Sequence, residues 1–240
     1  MNNRRHTMKK AYTQALQVLF WLCLCSPVYA NCTNEFAIQA AEISGYKDND
    51  LIDCKVMPNN RKQTVVAFVS SVGNHEYTMT TLVVTTDTGS IRSKFVDEDP
   101  SFGASGDPNK IKIDTAKYDV ARNKRAFGVR VTYSLNSWDS TEDLNLFLED
   151  GNQLKEIMKG LTVSFSNAHL CTSSQMTGTI SISKIPAGDF QDLILATTQS
   201  SIEGLMNDSN DGECTTPDPV TNTSIKTIHF KDGAYDVYGN

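Results

Sequence analysis

The chain reads as an all-β protein: antiparallel meander sheets packed face to face in a propeller-like arrangement, with a single β-sandwich as the alternative. Three observations lead there. Apolar residues recur at every second position in several runs, as half-buried strands require. Turn-forming residues such as Asp-Gly separate those runs. Helical signal is confined to one short N-terminal segment. The organisation expected is residues 1–30 as a signal peptide, 31–60 as an N-terminal segment clipped by a disulfide, and 61–240 as the all-β domain.

The leader comes first. Lys9 and Lys10 form a basic start, Ala15 to Leu24 an apolar run, and Pro27 a break. Val28-Tyr29-Ala30 then offers a small-residue cleavage site, which predicts cleavage after Ala30 and a periplasmic destination. The apolar run is shorter than the roughly 20 residues a bilayer span needs, so no membrane span is expected after cleavage. Met1 and Met8 both stand as possible starts, because Met8-Lys9-Lys10 already supplies the basic region.

Removing the leader takes Arg4, Arg5, Lys9 and Lys10 from the 22 basic residues and leaves 18 against 28 acidic ones, a net charge of −10. Such a surface repels nucleic acid, whose phosphates need clustered cations, and it favours a basic partner or a bound cation. Cys32, Cys54, Cys171 and Cys214 remain, and an even count in an exported chain reads as disulfides. Of the three pairings, Cys32–Cys54 and Cys171–Cys214 are favoured because each closes a local loop. A metal site lacks C-x-x-C spacing and nearby histidine.

Along the rest of the chain, Glu35 to Ile43 suits a short helix capped by Thr33 or Asn34. Thr64 to Ser70 and Tyr77 to Thr86 are rich in Val and Thr, which fit a pleated surface. Ile111 and Ile113 alternate with lysines. Phe127, Val129, Val131 and Tyr133 alternate with smaller or polar residues, and Leu144, Leu146 and Leu148 repeat the pattern. Ile180 and Ile182 continue it, and Phe190 to Ser200 looks more like a strand than a helix. Asp87-Thr88-Gly89, Asp150-Gly151 and Asp232-Gly233 mark turns, the last two within hairpins. Asp97 to Asn109 and Glu203 to Thr223 read as loops, where function tends to sit on a β scaffold.

Chemistry is thinly signalled. His75, His169 and His229 form no metal-binding spacing, and no H-E-x-x-H occurs. Gly103-Ala104-Ser105-Gly106 resembles a nucleophile elbow in letters alone, since Asp107-Pro108 follows and no helix does. Asn207-Asp208-Ser209-Asn210-Asp211-Gly212 approximates the first half of a calcium loop, with Asn207, Ser209, Asp211 and Asp218 as ligands. Such clusters are usually plain turns, so neither a metal nor a cofactor is assigned.

Ile113-Asp114-Thr115-Ala116-Lys117-Tyr118 and Arg125-Ala126-Phe127-Gly128-Val129-Arg130-Val131-Thr132-Tyr133-Ser134 resemble a signature of exported β-rich bacterial proteins. The resemblance extends through Leu144 to Leu148, Gly160 to Val163, Gly188 to Leu193 and Cys54 to Pro58. It departs before the third cysteine, where Ala168-His169-Leu170 replaces a Trp-Asp pair. That family brings no established activity. The resemblance implies export and a β fold and transfers no catalytic residue.

The expectation is therefore a non-catalytic periplasmic binding or accessory module. An immunity or inhibitor protein against an envelope-targeting toxin or enzyme is one alternative, and a cryptic periplasmic hydrolase is another. The expected contact surface is acidic: Asp208, Asp211, Glu213 and Asp218, with Asp97, Glu98 and Asp99 as a second candidate, meeting a basic envelope protein.

Overall fold

The computed structural model describes residues 32–73, 75–100, 106–134, 136–187, 189–206, 214–215 and 217–239. It is mostly antiparallel β-sheet with one short helix, α1 (Glu35–Ile43). Asn34 caps that helix: its Oδ1 accepts from Ala37 N–H at 3.1 Å. Its Nδ2 donates to Thr86 O, tying the helix start to the end of a strand.

Strands β1 (Leu51–Met57), β2 (Asn60–Gly73), β3 (Glu76–Thr85) and β4 (Ile91–Asp97) form a four-stranded meander. Both faces of its centre are covered. Val66, Phe68, Leu82 and Val84 pack with Ala37, Ala40 and Ala41 of α1. Val65, Ala67, Val69, Met79 and Val83 pack the other way, against Ile113, Phe127, Val129, Val131 and Phe147. This double burial is why Thr64 to Val69 is an unbroken buried run and not an alternating one.

The residues met on that second face belong to β5 (Asp107–Ala121), β6 (Lys124–Ser134) and β7 (Ser140–Asp150). With β8 (Gln153–His169), β9 (Thr172–Ala187) and β10 (Phe190–Glu203) they run as a continuous antiparallel meander. The meander closes on itself, because Phe190 of β10 pairs with Ala121 of β5. The result is a six-stranded barrel with a four-stranded sheet packed on its wall, in place of the propeller-like or single-sandwich arrangement the sequence suggested. Long twisted strands explain the difference. β8 and β9 run 17 and 16 residues, and right-handed twist accumulated over such lengths curls a sheet until its edges meet.

A bulge helps the bend. Opposite Asn145 the β7–β8 register slips, and Gly160 takes φ 64°, which suits a residue without a Cβ. Asn145 Oδ1 accepts the freed Gly160 N–H at 2.7 Å. Inside the barrel Leu144, Leu146, Met158, Val163, Leu193 and Leu195 form the second core. The two bodies are stitched at β5, where Ile113 N–H donates to buried Asp53 Oδ2 of β1 at 2.7 Å. Burial pushes the Asp53 carboxyl above its ordinary value.

The remaining strands are β11 (Leu205–Met206), β12 (Cys214–Thr215), β13 (Val220–Ile228), β14 (Phe230–Lys231) and β15 (Ala234–Tyr235). β13 pairs along β10 from Ile228↔Leu193 to Val220↔Ser201 and forms the sheet edge. β14 and β15 make the hairpin around Asp232-Gly233. Disulfides join Cys32 to Cys54 and Cys171 to Cys214, the two local pairings. Two such bonds suggest an oxidising, exported environment. Among the described residues no helix is long and apolar enough to cross a membrane.

Candidate functional site

A concavity lies at one end of the barrel, where the β6–β7 and β8–β9 connections meet the end of β10. It holds about 560 Å³ and is lined by Trp138, His169, Leu170, Thr172, Ile202 and the Cys171 disulfide, with Ala168 and Ser173 on its floor. Trp138 and Leu170 are 66 % and 87 % exposed, among the most solvent-facing large apolar side chains described. Isolated exposed apolar residues are ordinary, but a group rimmed by polar residues and set in a hollow marks an interaction site.

Local sequence holds Trp138 in place. Asn136 Oδ1 accepts from the N–H groups of Trp138 and Asp139 at 2.8 and 3.0 Å, an Asx turn. Asn136 Nδ2 donates to Asp139 Oδ2 at 2.7 Å. The indole therefore projects from a turn that its own neighbours have fixed. On the other rim, the disulfide at Cys171 ties the β8–β9 turn to β12, and Cys171 O accepts from Gly204 N–H at 2.9 Å. Beside the hollow, Asp139 Oδ1 is sealed from solvent and has no hydrogen-bond donor, with His169 Nε2 lying 3.9 Å away. A buried acceptor without a donor is uncommon.

Four polar clusters lie elsewhere. Arg130 Nε and Nη2 donate to Asp114 Oδ2 at 2.8 Å, and Nη1 donates to Glu142 Oε1 at 2.7 Å. Tyr118 Oη also donates to Asp114. Burial alone would raise the Asp114 carboxyl, but the Ala116 N–H, Arg130 and Tyr118 together hold it below its ordinary value. This cluster satisfies itself and leaves no reactive group open.

Two histidines are held by carboxylates. His75 Nδ1 lies 2.6 Å from Asp107 Oδ1, which also accepts from Tyr77 Oη at 2.7 Å. Those contacts raise the His75 imidazole and lower Asp107, and burial with Asp107 lifts Tyr77 to about 12. His229 Nδ1 lies 3.0 Å from Asp192 Oδ2. Both imidazoles are mostly exposed, although Asp192 itself is buried, so neither histidine is a base sheltered in a cleft.

The fourth cluster joins β4 to β8. Lys159 Nζ lies 2.9 Å from Asp97 Oδ2 and donates to Asp99 O at 2.8 Å. Glu156 sits nearby with its Oε1 sealed from solvent and without a partner. Burial, then Asp97, lift its carboxyl to about 7. A small hollow of about 250 Å³ separates Glu156 and Lys159 from Tyr235, Asp236 and Tyr238.

Asp97 thus turns inward and is 7 % exposed, whereas Glu98 and Asp99 are exposed. Asp218 is exposed, and Asp208, Asp211 and Glu213 lie outside the described residues. So do Asn207 and Ser209 of the calcium pattern, and among the described residues no group of three His, Cys, Asp or Glu side chains is placed to hold a metal. Cys214, which follows the acidic stretch in sequence, is bonded to Cys171 on the hollow's rim. Sequence reading passed over Trp138. Its signal was available: an aromatic between Asn136-Ser137 and Asp139, in a turn between two strongly alternating runs. No family model, curated protein or solved structure matches this chain.

Proposed function

We propose that the protein is an exported, periplasmic, non-catalytic binding module, and that its ligand seats in the hollow between Trp138, Leu170 and Ile202. The observation that carries this reading is an exposed indole held by a fixed turn over a concavity of about 560 Å³. A site formed before the ligand arrives spends little free energy on ordering itself. The His75 and His229 imidazoles face solvent away from the hollow, which favours binding over catalysis. The net charge of −10 over residues 31–240 keeps such a module soluble.

The chain has two tryptophans, Trp21 in the leader and Trp138, so a protein spanning residues 31–240 reports on this site alone. Oxidised protein would be titrated with soluble glycans, peptides and lipid vesicles while Trp138 emission is followed. A saturable shift that Trp138→Phe and Leu170→Ser weaken, with melting temperature unchanged, supports the reading. Ligand capture that leaves Trp138 emission unmoved and survives both substitutions refutes the site.

A further inference from the structure

We infer that the ligand class is a neutral polysaccharide, laid across the open face of β8, β9, β10 and β13 with one ring seated on Trp138. This rests on the binding-module reading above and adds the chemistry of what is bound.

The inference comes from register. Ser164 of β8 lies opposite Thr177 of β9, which lies opposite Thr198 of β10, which lies opposite Thr223 of β13. Two residues along, Ser166, Gln175, Ser200 and Thr221 form a second row in the same order. A third row, Ala168, Ser173 and Ile202, lines the Trp138 hollow. Side chains alternate between the faces of a sheet, so the three rows share one face. On β9 and β10 it is the face opposite Ile180, Ile182, Leu193 and Leu195, which turn to the barrel core.

Two complete rows of hydroxyls and one amide therefore lead to an aromatic platform. Thr177, Thr198, Thr223, Ser166, Gln175 and Thr221 are all exposed. None of the residues in the three rows is charged, although the chain as a whole is acidic. The carboxylate that faces Ser164 in register, Glu142, is already taken by Arg130.

An uncharged field of donors and acceptors matches a ligand that is itself a neutral array of hydroxyls. Neighbouring strands lie about 4.8 Å apart, and alternate residues along a strand about 6.7 Å, spacings comparable with one sugar ring. A basic protein would want carboxylates here, and a lipid or apolar peptide would want a continuous apolar surface. The indole face suits the apolar C–H face of a pyranose, and its polar neighbours suit the ring's hydroxyls.

The experiment is affinity electrophoresis of oxidised residues 31–240 in gels holding neutral polysaccharides (mixed-linkage glucan, xylan, mannan, dextran) or acidic ones (polygalacturonate, chondroitin sulfate), with Trp138 emission followed in parallel. The expected result is retardation by at least one neutral polymer and by neither acidic one. Trp138→Ala weakens it at least about tenfold, as for a central aromatic anchor. The double variant Thr177→Ala/Thr198→Ala lies on the rows away from the hollow; it weakens retardation several-fold without moving Trp138 emission in the free protein or the melting temperature. Retardation unaffected by the threonine pair overturns the role of the rows. No retardation by any neutral polymer, with Trp138 emission still shifted by an apolar probe such as N-phenylnaphthylamine, overturns the glycan class and leaves the hollow as a binding site. Neither retardation nor any shift overturns both readings.

Discussion

Glu156 offers a direct test of how the two sheets meet. Its carboxyl is lifted from an ordinary 4.5 to about 7 by burial and by Asp97. The sign follows from proton counting. Below about pH 4.5 the group is neutral in both folded and unfolded chains. Between 4.5 and 7 the unfolded chain releases the proton and the folded one keeps it, so stability falls as pH rises. Above 7 both forms are charged and the loss is complete. At about 1.4 kcal/mol per pH unit the full loss is roughly 3 kcal/mol, an upper figure because the carboxyl retains some contact with water. Glu156→Gln keeps the shape and cannot ionise, and the unpartnered Oε1 means that no hydrogen bond to that atom is forfeited. The variant should therefore gain on the wild type by about 2–3 kcal/mol between pH 5 and pH 8. For a domain of this size that is a melting-temperature gap widening by roughly 4–12 °C. Thermal melts of both proteins across that range, in one buffer system at fixed ionic strength, measure it. A gap that stays constant from pH 5 to pH 8 would refute the buried-carboxyl argument, whatever the absolute stabilities.

Arg130→Ala leaves Asp114 and Glu142 facing each other without their shared cation, and should cost about 3 kcal/mol in urea denaturation. Replacing both Cys171 and Cys214 by serine frees a loop with a sequence separation of 43 and should cost about 4 kcal/mol on the chain-entropy estimate. The same change should weaken binding at the Trp138 hollow, since its rim is cut loose. Asp107→Asn should bring the His75 imidazole back down towards its ordinary value, which a proton NMR titration reads directly. An unchanged His75 titration would mean that the pair does not persist in solution.

How much of this was legible depended on whether the deciding contact was local. The helix at Glu35–Ile43 and its Asn34 cap are written within a few residues. So are the turns at Asp150-Gly151 and Asp232-Gly233, which the structure places between β7 and β8 and between β14 and β15. The alternation from Phe127 to Tyr133 gave the right face, the one meeting the four-stranded sheet. Leu144, Leu146 and Leu148 gave only half of β7. Asp143, Asn145 and Phe147 are also buried, because a second sheet covers the outer wall. That wall is far away in sequence, so no local pattern announces it. Barrel closure was hidden for the same reason. The hydroxyl rows cross four strands, and only pairing reveals that Ser164, Thr177, Thr198 and Thr223 are neighbours. Asp97 misled because charge in a polar stretch reads as exposed, while Lys159, its partner, enters from another strand.

Among the described residues one pair, Ala121 with Phe190, joins β5 to β10, and this has a kinetic consequence. Strands β1 to β4, and separately β5 to β10, can each be laid on the strand before, so assembly proceeds through short-range steps until this joint, whose halves lie far apart along the chain. Closing it bears the loop entropy of the whole meander for one pair of residues. The barrel should then open most readily at the same place. Amides around Ala121 and Phe190 should exchange with solvent through local opening, while those of β6 and β7, walled on both faces, wait for the whole molecule to unfold. The molecule is in effect a hoop with one clasp, and β9, β10 and β13 are the end that swings when the clasp is undone.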